Sequence, residues 1–179
     1  MIEMMMVVAL MALLAGIGGG LYKGTMEGML VKKAARDFYL AARYARMLAV
    51  ESQRPCRIEL DRANNSFAVV SEQINEQTGE VETLAVKNYY AKTVKFADGI
   101  RFEDVQIFSN DSDGEASPEE QIQSILFFPN GTVQASVVQI GDGKTHYTAG
   151  IYPSTGRVKI YFGQAENIES QVIDLDQMR

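Results

Sequence analysis

The hydrophobic pattern of this chain changes character twice. Residues 4–21, MMMVVALMALLAGIGGGL, carry no charged side chain, and Glu3 and Lys23 bound the run. At ~1.5 Å rise per residue, such a run covers roughly 27 Å as a helix, enough to cross the hydrocarbon core of a bilayer. Further on, Leu30, Ala34, Phe38, Ala41, Ala45, Leu48 and Ser52 fall at steps of three and four, with Lys32, Lys33, Arg36, Asp37, Arg43, Arg46 and Glu51 mostly off that stripe. That is the pattern of an amphipathic helix. The first proline is Pro55, so nothing before it forbids one helix of about 50 residues, on the order of 75 Å long. Residues 1–22 are predicted to be its transmembrane segment and residues 23–54 its amphipathic extension.

Beyond Pro55 the period falls to two. Residues 56–61 and 66–71 alternate around Asn64-Asn65, which reads as a hairpin. Further strands are predicted at 83–86, 93–96, 105–108, 124–128, 132–140, 145–152 and 157–162, with a last one at 170–175. Turn residues separate them, in Pro129-Asn130-Gly131, Gly141-Asp142-Gly143 and Pro153-Ser154-Thr155-Gly156. The fold class is therefore α+β: a long N-terminal helix, transmembrane and then amphipathic, packed on an antiparallel β-sheet head of residues 55–179.

Charge sharpens this division. The 179 residues sum to -6, but residues 1–62 hold nine Lys/Arg against six Asp/Glu, or +3, and residues 63–179 hold eight against seventeen, or -9. The net charge gives no global electrostatic reason to bind nucleic acid, which calls for a basic face. Chemistry is equally sparse. With one cysteine, Cys56, and one histidine, His146, the chain has neither an intramolecular disulfide nor a Cys/His zinc cluster. Cys56 opens a strand and reads as a small core residue; Arg54 and Arg57 flank it, but no base lies near in sequence. His146, between Thr145 and Tyr147 in a predicted strand, reads as structural. No glycine-rich phosphate loop follows a strand. Residues 109–120, SNDSDGEASPEE, space oxygen ligands and Gly114 nearly as a calcium loop does. Ser109 at the first position, Ala116, Pro118 and the lack of flanking helices make an acidic loop the better reading. No catalytic residue, metal or cofactor is expected.

Two features of the rod break ordinary rules. Glu3 places an ionisable group at the start of a membrane span, where it needs a partner or must stay near the interface; as a first-turn acid it also suits the helix dipole. Gly16, Gly18, Gly19, Gly20, Gly24 and Gly28 crowd thirteen residues, each costing up to ~1 kcal/mol of helix propensity relative to alanine. Gly16, Gly20, Gly24 and Gly28 share a face and suit close helix packing. Gly18, Gly19 and Gly20 equally suit a helix built to loosen. A cleaved signal peptide would begin with basic residues and end at a small-residue site, neither of which is seen here.

A near-terminal glutamate, an apolar helix, a long amphipathic extension and a β head form the plan of type IV pilin-like proteins, and IEMMMVVALMALLAGI resembles the start of that family. The segments AARYARMLAVESQRPCRIELDRANNSFAV, ILFFPNGTVQASVV and YPSTGRVKI are similar to the H-type pseudopilin of type II secretion and its FimT-like minor pilin relatives. The resemblance implies a pilin-like fold and a mechanical function: a minor pseudopilin near the tip of a periplasmic pseudopilus that pushes substrates through an outer-membrane channel. It implies anchoring in the inner membrane by a single pass, with the head in the periplasm. The implied partners are other pseudopilins or pilins of the filament tip, and prepilin peptidase acting on the full precursor. Glu3 would pair with the free α-amino group of a neighbouring subunit, and residues 18–20 fall where family helices unwind in filaments. Family precursors carry a basic leader, a processing glycine and a phenylalanine before Ile-Glu, whereas Met1 here stands directly before Ile2. An upstream coding stretch is therefore expected.

The alternatives are a FimT-like minor pilin of a type IV pilus, engaged in DNA binding and uptake, and a membrane-anchored enzyme or ligand-binding β domain. The tail ESQVIDLDQMR sets Arg179 against Glu169, Asp174 and Asp176, which argues against nucleic acid as a partner.

Overall fold

A computed structural model of the chain describes residues 2–74, 81–85, 93–108 and 122–164, with the side chains of 14–25, 72–74 and 81–85 left out of the description. Among the described residues, one helix, α1 (Ile2–Ser52), is followed by nine strands: β1 (Cys56–Asp61), β2 (Ser66–Ile74), β3 (Val81–Ala85), β4 (Val94–Lys95), β5 (Arg101–Ile107), β6 (Ile122–Phe127), β7 (Ser136–Gly141), β8 (His146–Tyr152) and β9 (Arg157–Phe162). The expected strand 170–175 and the acidic loop 109–120 lie outside the described residues.

α1 stops where the sequence leaves it no way to continue. Gln53 adopts the left-handed conformation at φ 54°, the usual helix exit, and Pro55 follows two residues later. The last turn's carbonyls find side-chain donors: Ser52 Oγ donates to the Leu48 carbonyl at 2.6 Å and Gln53 Nε2 to that of Val50 at 2.7 Å. Among the described residues, no helix is long and apolar enough to cross a membrane. The described side chains of the apolar run are those of residues 4–13, and as a helix that stretch alone is about half a bilayer core in length.

Among the described residues, the head forms two antiparallel sheets. The first has the order β3-β2-β1-β6, with β4 also pairing β2; the second has the order β5-β7-β8-β9. The hairpin of β1 and β2 closes as expected around residues 62–65, with Asp61 carboxylate oxygens accepting from the Asn64 backbone N–H at 2.9 Å and from its side-chain amide at 2.7 Å. The β6 strand joins the other side of β1, so Cys56 faces Ser71 on one neighbour and Phe127 on the other. Alternation in β1 follows: Cys56, Ile58 and Leu60 are buried, and the residues between them are half-buried.

α1 lies against both sheets, touching β1, β2 and β6 of the first and β7, β8 and β9 of the second. Its buried face is Val31, Ala34, Ala35, Phe38, Ala41, Ala42, Ala45 and Ala49. This is broader than the expected line and shifted from it: Leu30 and Ser52 are exposed and Leu48 is half-buried. A helix seated between two sheets is covered over a wide arc, so neighbouring positions such as Ala34 and Ala35 are both buried. Six alanines let its backbone approach closely, and Val31 and Phe38 supply its larger fully buried side chains.

Candidate functional site

Three places in the described structure gather groups that could carry function. The first is formed by the turns that the sequence marked. Residues 128–132 fold back on themselves, with Phe128 N–H donating to the Thr132 carbonyl and Gly131 N–H to that of Phe128, both at 2.9 Å. Asn130 Oδ1 braces the turn by accepting from the Thr132 N–H and hydroxyl at 3.0 and 2.7 Å. This turn carries the chain from the first sheet to the second, and the Val133 N–H then donates to the Pro153 carbonyl at 3.1 Å. The 128–132 and 153–156 turns are thus joined. Arg46, from α1, closes the junction, its Nε donating to the Gly131 carbonyl at 3.3 Å. Gly156, at φ 59°, packs so tightly against Arg46 and the Gly131 carbonyl that a Cβ there would overlap both. Helix, first sheet and second sheet are therefore fastened together at one point.

The second place is on the second sheet. The register of β5 against β7 slips between Phe102 and Asp104, which makes Glu103 the extra residue of a β-bulge, a device that re-aims a side chain. Its Oε2 takes hydrogen bonds from Gln139 Nε2 at 2.7 Å and His146 Nδ1 at 2.6 Å, and its Oε1 one from the Gly143 N–H at 2.9 Å. Burial raises the Glu103 pKa, but the hydrogen bonds from Gln139, His146 and Gly143 outweigh it and hold the carboxyl below its ordinary value. Gly141 makes room, since a Cβ there would overlap the carboxylate. Arg101, Phe102, Gln139, Gly143, His146 and Gln164 line, with Glu103, a shallow depression of 390 Å³. Among the described residues, the lining includes no hydroxyl or thiol nucleophile, and no group of three or more metal-ligating side chains occurs. The arrangement ties the β5 bulge to the β7–β8 turn.

Because the Glu103 pKa is lowered in the folded state, its contribution is fully present above the unfolded carboxylate value and is lost as pH falls through the folded one. Glu103→Gln is expected to reduce stability at neutral pH by about 2 kcal/mol. The variant's deficit should shrink as pH falls below about 5, which thermal melts between pH 3 and 7 would test. A deficit that stayed constant across that range would contradict the charge-based account.

The third place is the free rod. Glu3, in the first turn of α1, is exposed, as are Ile2 and the side chains of residues 4–13. Gly16, Gly18, Gly19, Gly20 and Gly24 lie on continuous α-helical backbone. Cys56 is buried, its Sγ–H donating to the Val70 carbonyl at 3.2 Å, and burial pushes its thiol pKa up to about 11. It is packed as a core residue. His146 was placed in a strand by the sequence pattern, but the pattern carried no sign of Glu103, because a bulge leaves no mark in a period-two reading. Arg46 was read only as an off-stripe cation. The signal available for it was its place on the same helix as the buried alanines, together with two glycine-bearing turns that needed a partner.

The model of the family described as Type II transport protein GspH matches residues 34–156, from within the buried helix face to the glycine of the Arg46 junction. Two structures of the minor pseudopilin EpsH from the type II secretion system of Vibrio cholerae are similar to this chain. One has a TM-score of 0.51 at 13% identity, covering 74% of this chain and 96% of that one. The other has a TM-score of 0.52 at 13% identity, covering 78% and 99%. The type IV minor pilin FimU of Pseudomonas aeruginosa aligns with a TM-score of 0.47 at 15% identity, over 75% and 92%. Among curated proteins no sequence matches.

Proposed function

Since the chain belongs to the GspH family of type II transport proteins, we propose that it is a minor pseudopilin, a structural subunit of the pseudopilus of a type II secretion system. The match over residues 34–156 carries this reading; the fold it shares with EpsH, a helix on antiparallel sheets, agrees with it. Its work is mechanical. The apolar run of residues 4–21 holds the chain in the inner membrane by a single pass with the head in the periplasm, and other pseudopilins are its partners.

In this reading Glu3 directs assembly. A carboxylate within the hydrocarbon region requires a partner, and the α-amino group of a neighbouring subunit, freed by prepilin peptidase on the full precursor, supplies the opposite charge. Gly16, Gly20 and Gly24 share a face that admits a neighbouring helix closely. Gly18, Gly19 and Gly20 lower the cost of unwinding the helix on entry into the filament.

A secretion assay in cells lacking the chromosomal copy tests both parts. The wild-type chain should restore export of a type II substrate, and Glu3→Ala should reduce it at least about tenfold while remaining in the membrane, the loss of a buried charge's partner being worth several kcal/mol. Unimpaired export in the deletion strain would overturn the pseudopilin reading. Full rescue by Glu3→Ala would overturn the role of Glu3 alone.

A further inference from the structure

The strands of the head deliver three turns to one end of the molecule. The 62–65 turn is tied to the next by the Phe96 N–H, which donates to the Asn65 carbonyl at 2.9 Å, and the Ile100 N–H closes that second turn on the Ala97 carbonyl at 3.1 Å. The third is the β7–β8 turn. Asp98 and Gly99 of the second turn and Asp142 and Lys144 of the third line a 220 Å³ depression with Glu27 and Leu30 of α1. Lys144 Nζ lies 4.0 Å from Glu27 Oε2, and a Cβ on Gly28 would lie 3.9 Å from Thr145 Oγ1. This end of the head is thereby fixed at the level of residues 27–30 of the helix.

That level is close to the bilayer. Glu27 and Gly28 stand roughly 9 and 10 Å along the helix beyond Leu21, the last residue of the apolar run. The headgroup region of one leaflet is itself about 5–7 Å deep, so a lysine side chain spans the gap that is left. What the head presents there is open and polar. Gly99 and Gly143, in the second and third turns, are left-handed at φ 87° and 86°, and a Cβ on either would meet nothing within 4 Å. The Lys144 side chain is 83% exposed, and Lys95 and Asp98 are exposed too.

The charges at this end are nearly balanced. Arg62, Lys95 and Lys144 stand against Glu27, Asp61, Asp98 and Asp142, although residues 63–179 together sum to -9. A surface of both signs matches zwitterionic lipid, whose phosphates accept from lysine and arginine and whose ammonium groups donate to carboxylates. Phe162 adds an apolar side chain near the same end, 77% exposed with its ring 5.3 Å from that of Tyr147. The Gly163 N–H holds this end of β9 beside the third turn by donating to the His146 carbonyl at 2.9 Å.

We propose that this end of the head is a membrane-contact surface, with the 97–100 and 141–145 turns resting on the zwitterionic headgroups of the leaflet that α1 enters and Lys95 and Lys144 on lipid phosphates. The proposal rests on the membrane-anchor reading above and adds to it a posture: the head stands on the bilayer until the chain leaves for the filament. Each exposed ionic contact is weak, but the anchor keeps the two surfaces at high effective concentration, so a few suffice.

Fluorescence quenching tests it, because the chain has no tryptophan and a single one reports its own position. Phe162→Trp, Leu13→Trp in the apolar run and Phe128→Trp are each made in the full chain, in vesicles of phosphatidylethanolamine and phosphatidylcholine with quenchers on the headgroup or the acyl chain. Phe128 is the distant control, since its turn is held by Arg46, roughly 37 Å along the helix beyond Leu21. The headgroup quencher should dim Phe162→Trp at least about twofold and leave Phe128→Trp unchanged. Lys95→Gln combined with Lys144→Gln should remove about half of that quenching without altering the melting of the head. Equal quenching at 162 and 128 would overturn the proposal, as would quenching indifferent to the loss of both lysines. Absence of quenching at 162 while the acyl-chain quencher still dims Leu13→Trp would overturn it too and leave the anchor reading standing. If Leu13→Trp is not quenched either, both fall.

Discussion

Replacing Phe38 with alanine is expected to lower the unfolding free energy of the head by about 3–5 kcal/mol, the range for truncating a fully buried aromatic. Its environment argues for the upper part of that range. Phe38 meets Phe67 of β2 edge-on, with ring centroids 5.5 Å apart at 86°. Phe67 meets Phe96 at 5.7 Å, and Phe96 meets Phe102 of β5 at 4.7 Å. One line of aromatic contact thus passes from the helix through the first sheet to the second. The neighbours of Phe38 on its own helix are Ala34, Ala35, Ala41 and Ala42, whose methyl groups cannot extend into a vacated space. The cavity therefore stays open, and the cost is that of lost contacts plus an unfilled void. Urea unfolding of the full chain in mild detergent, followed by near-ultraviolet circular dichroism, would measure it. Phe38→Leu, which keeps most of the volume, should lose less than half as much. A cost below about 1 kcal/mol for the alanine variant would mean that the helix is held to the head chiefly by other contacts.

The helix was legible in the sequence because its signals are local: an unbroken register, no proline before Pro55, and small residues at helical spacing. The width of its buried face was not. Steps of three and four trace a single line through Ala34, Phe38, Ala41 and Ala45, which are buried as expected. Ala35, Ala42 and Ala49 are buried as well on a helix that touches both sheets, and nothing within the helix announces that. Hairpin β1–β2 was similarly plain, since Asp61 and Asn64 close it within four residues. The pairing of β1 with β6 joins segments about 65 residues apart, and the separation of the strands into two sheets depends on such pairings. Period-two alternation shows where strands are, and it is silent on which strand lies beside which. The Glu103 bulge was hidden for the same reason: it exists only in the register between β5 and β7.

The Arg46 junction combines both kinds of information. Its two turns were visible as Pro129-Asn130-Gly131 and Pro153-Ser154-Thr155-Gly156, but their meeting was not, and the glycines have unequal roles as a result. Gly156→Ala is expected to destabilise the head by about 2–5 kcal/mol. The left-handed backbone at φ 59° costs a β-carbon about 1–2 kcal/mol, and displacement of close-packed neighbours adds about 1–3 kcal/mol more. The nearest of those neighbours is the Gly131 carbonyl, a backbone atom held by its turn and by Arg46, so relief must come from moving the turn that links the two sheets. Gly143 supplies the control: it is left-handed too, at φ 86°, but a Cβ there would meet nothing within 4 Å. Gly143→Ala should therefore carry the conformational cost alone, about 1–2 kcal/mol. Thermal melts of the two variants separate the contributions. A difference of less than about 0.5 kcal/mol between them would show that the 128–132 turn gives way freely, and that the helix and the two sheets are not fastened at this point. A clear excess for Gly156→Ala that persists when Arg46→Ala is added would assign the clash to the Gly131 carbonyl. An excess that disappears in the double variant would assign it to the arginine, because coupling of this kind is confined to residues in contact.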